Sequence, residues 1–565
     1  VLAPVALRQA ALEKRHPGWV PRRLDEELDA VTAEFPDRPY VITDERTLTY
    51  AQVQDLSIQV ARGLVAAGVR PGEHVAMVMA NYPEFVAVRF GISRAGAVCI
   101  PINFLNRGAE LGYLLRQSQA VLLVTMDRFR KLDYLKMLDE LAPGWETDGG
   151  GTTLPDLRRV VVFPTSADGG RAGAHTLDGL LSGDGEFVAV TTVSPDATAD
   201  ILYTSGTTGA PKGVLLTHDM LLRTAYASAL SRGFQDGRRV TFSLPMYHVY
   251  GYVEGMLAVL FVGGAIIPQL SFTALATLDA ITTHLADDAL FIPTMTLAIL
   301  DELESAPHGL GQLSSVISSG GVAPLDIWDR IDATMGPLEL TTGYGMSETT
   351  ASSTVTRPDD PRKMRLLTNG RLRDAGIAGD PALGGRLTTY RVVDQHTRAV
   401  LADGEIGELQ VRGPGVTSGY WNKPEETAAA FTADGWLQTG DLGRLEDDYL
   451  TLVGRAKDCY RCGGEQVMPK EIEDVLSAHP AVEQAHVVAL PDVRMGEVGV
   501  AWIVLRSGRT VEPQELIDYS MERLARFKVP KHFLTIDVSD IPVTPSGRPR
   551  KFLLAERAAQ LLLVQ

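Results

Sequence analysis

Tyr203-Thr-Ser-Gly-Thr-Thr-Gly-Ala-Pro-Lys-Gly213 decides how this chain is read. Four of its eleven residues are glycine or proline, four carry a small hydroxyl, and one is lysine. A hydrophobic core has no use for that composition, and an ordinary surface turn does not need so much of it. A bound triphosphate does: glycines let backbone N–H groups close on phosphate oxygens, hydroxyls add donors, and Lys212 adds positive charge. The pattern is not a Walker A motif, which requires Gly-x-x-x-x-Gly-Lys-Ser/Thr opening a helix. Here Lys212 is followed by Gly213 and the apolar run Val214-Leu-Leu216, and Asp200-Ile-Leu-Tyr203 precedes the loop. Both flanks read as strands, so the loop is expected to connect two strands and to close over phosphates from outside.

Upstream of the loop, helical and strand patterns alternate. Val53, Leu56, Val60 and Leu64 fall at helical spacing within residues 50–67, and Gly68 and Pro71-Gly72 end that helix. Residues 74–79, 97–100 and 120–124 read as short buried strands, with a helix over 83–94. This rhythm predicts a parallel sheet flanked by helices. Residues 143–185 are rich in Gly and Asp with broken periodicity and read as an exposed insertion. The apolar run 255–268 reads as a buried helix followed by a strand. Beyond about residue 380, short β-rich runs at 387–393, 407–411 and 449–453 are separated by turns such as Asp403-Gly404 and Asp434-Gly435. They predict a smaller β-barrel-like subdomain. From Gly454 onward the texture is mixed, with helices over 470–477 and 513–524 and strands over 483–490 and 498–505.

Composition narrows the function. At 565 residues the chain exceeds what one core organises. A net charge of −17 argues against nucleic acid as a partner, because phosphate backbones want basic faces. Three cysteines are too few for a disulfide framework, and Cys459 with Cys462 supplies only half of a zinc site. The first residues, Val1 to Leu7, lack the basic start of a signal peptide. The longest apolar run falls short of the roughly 20 residues that span a bilayer. The expectation is a cytoplasmic protein without a transmembrane segment.

Three further clusters accompany the loop. In Thr341-Thr-Gly-Tyr-Gly-Met-Ser-Glu348, two glycines around Tyr344 suit close backbone approach to a flat ligand. Glu348 suits Mg²⁺, a hard cation that prefers oxygen. A tyrosine corner beside a solvated glutamate is the competing reading. Trp436-Leu-Gln-Thr-Gly-Asp441 is followed by Arg455 in Gly454-Arg-Ala-Lys-Asp458. The acid suits ribose hydroxyls and the arginine a ribose or phosphate, although a structural salt bridge has the same signature. Pro542-Val-Thr-Pro-Ser-Gly-Arg-Pro-Arg-Lys551 is basic and turn-rich, and its prolines and Ser-Gly favour an ordered loop over a solvated tail.

With Pro245-Met-Tyr-His248 and Gly407-Glu-Leu-Gln-Val-Arg-Gly413, these clusters stand in a recognisable order and spacing. Over nearly its whole length the chain resembles the adenylate-forming superfamily: acyl-CoA ligases, luciferases and the adenylation domains of peptide synthetases. The resemblance implies an α/β fold. A large N-terminal domain of parallel α/β subdomains plus the β-barrel-like subdomain (residues 1–456) would precede a small mobile α+β C-terminal domain (457–565), with a hinge at Lys457. It implies a two-step reaction in which a carboxylate and ATP give acyl-AMP and pyrophosphate, and coenzyme A then takes the acyl group. Thr204, Ser205, Gly206, Thr207, Thr208, Gly209 and Lys212 would cover the phosphates, and Thr204 and Glu348 would hold Mg²⁺. Gly320, Gly321, Val322 and Ala323 would line the adenine site with Thr342, Gly343, Tyr344, Gly345, Met346 and Ser347. Asp441 and Arg455 would take the ribose. His248 would stand at the mouth of an acyl site formed by Tyr247, Val249, Tyr252, Gly320 and Gly345. Arg461, Gly463 and Gly464 would face the site during thioester formation.

One position departs from the family. Its C-terminal motif normally ends Ser/Thr-Gly-Lys, and that lysine bridges the attacking carboxylate and the α-phosphate. This chain has Ser546-Gly547-Arg548. Arginine is a wide planar fork and lysine a slim point charge, so the exchange is not conservative. Losing one well-placed oxyanion contact typically costs about 10²–10³ in rate. Lys551 lies about 10 Å further along an extended chain and is not expected to stand in. Adenylation is therefore expected to be weakened, with thioester formation intact. A half-reaction enzyme fed with acyl-AMP by a partner adenylase, and a non-catalytic binding relative, remain as alternatives. No aspartate stands near His248 to hold an α-amino group. The substrate is expected to be an apolar carboxylic acid, whether fatty, aryl or polycyclic. A carrier-protein thiol in place of coenzyme A, and a homodimer, are both compatible with the sequence.

Overall fold

The computed structural model describes residues 2–166, 169–183, 192–204, 210–306, 308–320, 327–544 and 549–563. Ser205, Gly206, Thr207, Thr208, Gly209, Gly321, Val322, Ala323 and Arg548 lie outside the described residues.

Four sheets organise the chain. The first runs in the order Lys212–Thr217, Thr198–Thr204, Val98–Pro101, His74–Val78, Ala120–Met126, Arg159–Phe163, His175–Thr176. All its neighbours are parallel except the first pair, which is antiparallel and brackets the phosphate loop, with Thr204 opposite Lys212. The two flanking strands are thus the ones that the sequence predicts.

The helices pack on this sheet for local reasons. Tyr50–Ala66 begins at a capping box: Gln52 N donates to Thr49 Oγ1 at 3.2 Å, and Thr49 N to Gln52 Oε1 at 2.9 Å. Pro83–Arg94 starts on proline, where no helical N–H is lost, and nearly all its side chains are buried. Gly91 lets the two helices close up, because a Cβ there would stand 2.4 Å from Val60 Cγ1.

The expectation of an exposed insertion at 143–185 is corrected. Arg159–Phe163 is a sheet strand paired with Ala120–Met126, and Trp145, Leu154 and Leu157 are buried. Five residues are too few to show a period against flanks whose Gly and Asp serve turns.

The second sheet runs in the order Glu339–Thr341, Ser315–Ser318, Asp288–Phe291, Arg239–Phe242, Ala265–Pro268, Pro39–Ile42, Thr47–Thr49, parallel except for the last pair. The helix expected within the apolar run 255–268 is wound irregularly. Tyr252–Leu257 is a π-helix and Ala258–Val262 a 3₁₀-helix, followed by the strand Ala265–Pro268. Close packing explains this winding: a Cβ on Gly251 would meet the Leu244 carbonyl oxygen at 2.7 Å, and one on Gly255 would meet Phe242 Cε1 at 2.7 Å.

The third sheet is wholly antiparallel, from Gly343–Met346 through Ala351–Val355, Arg371–Leu372, Tyr449–Arg455, Leu437–Glu446 and Gly407–Arg412 to Thr389–Val393. Its two end strands bring Tyr344 and Tyr390 within 6.3 Å, ring to ring. The sheet therefore curls as the barrel-like expectation requires, around a core that includes Leu409, Val411, Leu437 and Leu450.

The C-terminal sheet runs Glu465–Val467, Tyr460–Cys462, Gly496–Leu505, Val482–Asp492, with His532–Thr535 parallel to Gly496–Leu505. Pro469–Ser477 and Pro513–Met521 pack on a core around Ile472, Val487 and Leu516. Lys551–Leu563 covers a second core around Trp502 and Leu554. This is a small α+β domain following a large one. No helix among the described residues is long and apolar enough to cross a membrane.

Candidate active site

Tyr420 connects the base of the loop expected to cover phosphates with Glu348. Residues 413–421 run along the strand Lys212–Thr217: Trp421 N donates to the Gly213 carbonyl at 2.8 Å, and Leu215 N to that of Gly419 at 3.2 Å. Val214 and Tyr420 pair across this junction. The Lys212 ammonium stands 4.5 Å from the centre of the Tyr420 ring, and the Tyr420 hydroxyl donates to Glu348 Oε1 at 3.0 Å. Thr417 N also holds the Glu348 carbonyl at 2.8 Å. The lysine of the first sheet and the carboxylate of the turn Ser347–Thr349, between two strands of the third, are thereby brought to one side chain. Sequence reading missed Tyr420; its only signal was an aromatic pair, Tyr420-Trp421, directly after Gly419.

Glu348 is buried, and burial pushes its carboxyl above the usual carboxylate range. The Tyr420 hydroxyl and the Lys212 and Arg455 charges pull the other way. A buried carboxylate with so few protein donors suits a hard cation, and the Thr204 hydroxyl, 3.5 Å from the Lys212 carbonyl at the loop's base, is of the same oxygen chemistry. These residues fit Mg²⁺.

The residues expected at the ribose form one cluster. Asp441 and Arg455 face each other across the pair Leu437–Glu446 and Tyr449–Arg455. Asp441 Oδ1 accepts from Arg455 Nε at 2.8 Å, and Oδ2 from the Tyr344 hydroxyl at 2.7 Å. Tyr344 thus joins the second cluster to the third, a link invisible in the linear sequence.

The glycines of that second cluster have a different reason from the one the sequence suggests. A Cβ on Gly343 would stand 2.5 Å from the Thr354 carbonyl oxygen, and one on Gly345 only 1.8 Å from that of Ala351. Their partner strand requires them. Gly343 also accepts from the Ser319 hydroxyl at 2.6 Å, next to Gly320, and Thr342 N donates to Thr356 Oγ1 at 2.8 Å. Gly320, Thr342, Gly343, Tyr344, Gly345, Met346 and Ser347 are therefore contiguous along one edge.

On the acyl side, His248 Nδ1 accepts from Tyr250 N at 3.3 Å, capping the short helix Val249–Gly251, so in the neutral ring the proton sits on Nε2. The other predicted side chains point elsewhere. Tyr247 packs edge-on to Phe104 in the core of the first sheet, 5.3 Å between ring centres. Val249 is buried. Tyr252 is buried with its hydroxyl 3.2 Å from Asp200 Oδ2, in a cluster where Arg89 donates to the same oxygen at 2.5 Å. Tyr250, which sequence reading passed over, does reach the ends of the second sheet's strands. Its hydroxyl donates to the carbonyls of Phe291 at 3.0 Å and Ile317 at 3.2 Å. Ligands of parallel sheets bind at such C-terminal strand ends.

In the C-terminal domain, Gly463 and Gly464 make the two-residue turn between Tyr460–Cys462 and Glu465–Val467, with φ of +62° and +89°. Both positions need glycine for that hairpin turn. A Cβ on Gly464 would meet nothing within 4 Å. Arg461 is exposed, its backbone N–H bound to Glu497 Oε2 at 2.8 Å. Lys551 is committed: its ammonium lies 2.6 Å from Glu473 Oε1. Burial opposes that charge, yet Lys551 and the Val487 N–H hold the Glu473 carboxyl below its usual range.

A cavity of about 460 Å³, lined by Gly72, His74, Val98, Thr198 and Trp421, lies where several strands of the first sheet begin. The loop expected to cover phosphates follows the other end of Thr198–Thr204, so this cavity lies away from it.

The chain is similar to known proteins over nearly its whole length. The chain is 32% identical over 530 residues to a methyl-dioxo-octahydroindenyl-propanoyl:CoA ligase of Mycobacterium tuberculosis, covering 94% of this chain and 97% of that one. It is 30% identical over 555 residues to the mitochondrial medium-chain acyl-CoA ligase ACSF2 of Danio rerio, covering 95% and 89%. The crystal structure of ATP-bound MatB from Rhodopseudomonas palustris superposes with a TM-score of 0.82 at 27% identity, covering 95% of this chain and 99% of that one. Residues 28–421 match the AMP-binding enzyme family and residues 471–548 its C-terminal domain, and the chain belongs to that family.

Proposed function

We propose that this chain is an AMP-forming acyl-CoA ligase acting on an apolar carboxylic acid. The observation that carries the reading is the convergence of Lys212, Tyr420 and Glu348 beside the Tyr344–Asp441–Arg455 cluster. In the first step a carboxylate oxygen bonds to the α-phosphorus of ATP, and the bond to pyrophosphate breaks. Lys212 and the loop Thr204 to Gly209 hold the leaving phosphates. Asp441 accepts from the ribose, with Arg455 fixing its orientation. Mg²⁺, held by Glu348 and Thr204, would neutralise phosphate charge. In the second step the thiol of coenzyme A gives up its proton to solvent, its sulfur bonds to the acyl carbon, and the bond from that carbon to AMP breaks. His248 lies at the acyl entrance, and Gly464 leaves room for the thiol arm.

The domain boundary at residues 456 and 457 belongs to this reading. Ala456 N still donates to the Gly440 carbonyl at 3.0 Å, and the next residue, Lys457, is exposed. Rotation about Lys457 would exchange the Arg548 loop for the Gly464 turn at the active site. Arg548 in place of the family lysine carries a further consequence, a slow first step. Lys551 cannot replace it without abandoning buried Glu473, and breaking a buried ion pair costs about 3–5 kcal/mol.

The test is pyrophosphate release with ATP across fatty, aryl and polycyclic acids, run beside thioester formation from synthetic acyl-AMP and coenzyme A. Absence of both reactions refutes the ligase reading. Arg548→Lys is expected to raise pyrophosphate release about 10-fold or more with thioester formation unchanged. Equal rates would show that Arg548 is fully competent.

A further inference from the structure

Glu254 is a charge in the middle of an apolar segment. It lies in the π-helix Tyr252–Leu257, a few residues past His248, and is fully buried. Its carboxylate is saturated. Oε1 accepts from Arg373 Nη1 at 3.0 Å and from Ser352 N at 3.1 Å. Oε2 accepts from Arg373 Nη2 at 3.1 Å and from the Ser228 hydroxyl at 2.5 Å. Arg373 N in turn donates to the Ser353 carbonyl at 2.9 Å, so both partners hold one strand, Ala351–Val355.

That strand starts from a strained turn. Thr350 has φ of +63° and Ala351 of +143°, although neither is glycine. Such conformations cost about 1–3 kcal/mol each and persist only where the surroundings enforce them. The turn carries Glu348 two residues earlier, and Gly345 has no Cβ because the Ala351 carbonyl fills that space. Ser352 N is the first backbone group after the strain, and Glu254 holds it. A π-helical turn is what aims Glu254 there.

We infer that Glu254, paired with Arg373, is a positioning residue that ties the His248 segment to the Glu348 turn and sets the Glu348 carboxylate for adenylation. The inference rests on the proposed ligase reading. Adenylation needs Glu348 placed; thioester formation from acyl-AMP does not. A packing role alone would injure both half-reactions together.

Two variants separate these. Glu254→Gln removes the charge that Arg373 pairs with, and Glu254→Asp keeps the charge but shortens the reach to Ser352 N by one carbon. Pyrophosphate release is expected to fall about 10- to 100-fold in both, since misplacement near 1 Å costs up to 10²-fold. Thioester formation from acyl-AMP is expected to stay within about threefold of wild type on the same reasoning. In calorimetry with a non-hydrolysable ATP analogue, the increment in affinity from Mg²⁺ is expected to shrink, with metal-free binding unchanged. Parallel loss of both half-reactions, failure of both variants to fold, or an unchanged Mg²⁺ increment each overturns the positioning role. Wild-type protein that makes neither acyl-AMP nor thioester fails the ligase reading instead.

Discussion

Tyr420→Phe isolates one hydroxyl at the centre of the site. The ring remains for the Lys212 ammonium, 4.5 Å from its centre, so the lysine keeps its support. The donor to Glu348 Oε1, at 3.0 Å, is lost. Glu348 is 6% exposed, so the lost donor leaves a buried carboxylate with fewer partners. A hydrogen bond to an ionised group contributes about 1.5–3 kcal/mol, which is roughly a 10- to 150-fold change in the ratio of ionised to neutral carboxyl. Burial already pushes the Glu348 carboxyl up, and the variant pushes it further. In the proposed reaction the ionised form serves adenylation, so the acid limb of pyrophosphate release is expected to move to higher pH. The alkaline plateau should change little.

Stability follows with a definite sign. The folded carboxyl titrates above its unfolded value, so its contribution is fully present below the unfolded value and is lost as pH rises through the folded one. Removing the hydroxyl deepens the loss only where Glu348 is ionised. Melting temperatures of wild type and Tyr420→Phe should therefore agree in acid and separate as pH rises. Superimposable acid limbs, together with melting curves that stay parallel at all pH values, would refute the assignment of Glu348 as the titrating group.

Asp441→Asn removes the acceptor charge between Tyr344 and Arg455. Steady-state kinetics should show kcat/KM falling about 10- to 100-fold for ATP and for acyl-AMP alike, because both carry the ribose. Lys551→Met leaves Glu473 buried without its cation and should cost about 3–5 kcal/mol in denaturant unfolding, while pyrophosphate release per folded molecule stays unchanged. Tyr250→Ala withdraws the ring that caps Phe291 and Ile317, so a panel of acids should shift in kcat/KM toward longer members by about 10-fold.

How much was legible depends on whether a residue's reason was local. The strands around the phosphate loop, the helix Pro83–Arg94 and the Asp441–Arg455 pair follow from patterns within a few residues, and they stand where the sequence places them. Tyr420, Tyr250 and Glu254 hydrogen-bond to partners 72, 67 and 119 positions away, which no window of sequence contains. The buried strand Arg159–Phe163 was hidden by its turn-rich neighbours. Gly343 and Gly345 are instructive in another way. The sequence suggests room for a flat ligand there, and in the structure the space they spare is taken by the carbonyls of Thr354 and Ala351.

The position of Arg455 has a consequence for the two-step reading. Arg455 is the last residue of the strand Tyr449–Arg455, locked to Asp441 from the neighbouring strand, and Lys457 follows two residues later. Desolvation and the Arg455 guanidinium hold the Lys457 ammonium below the usual lysine range, so the two charges sense each other. A rotation pivoting at Lys457 would change what surrounds Arg455 directly, and Arg455 steadies the carboxylate proposed to take the ribose. Nucleotide contact and domain orientation would then be linked through one backbone step. Linkage is reciprocal: if one orientation strengthens the hold on the nucleotide, the nucleotide favours that orientation by the same free energy. Asp441→Asn should therefore also loosen the preference between orientations, and cross-linking or small-angle scattering with and without acyl-AMP should show a smaller difference than in wild type.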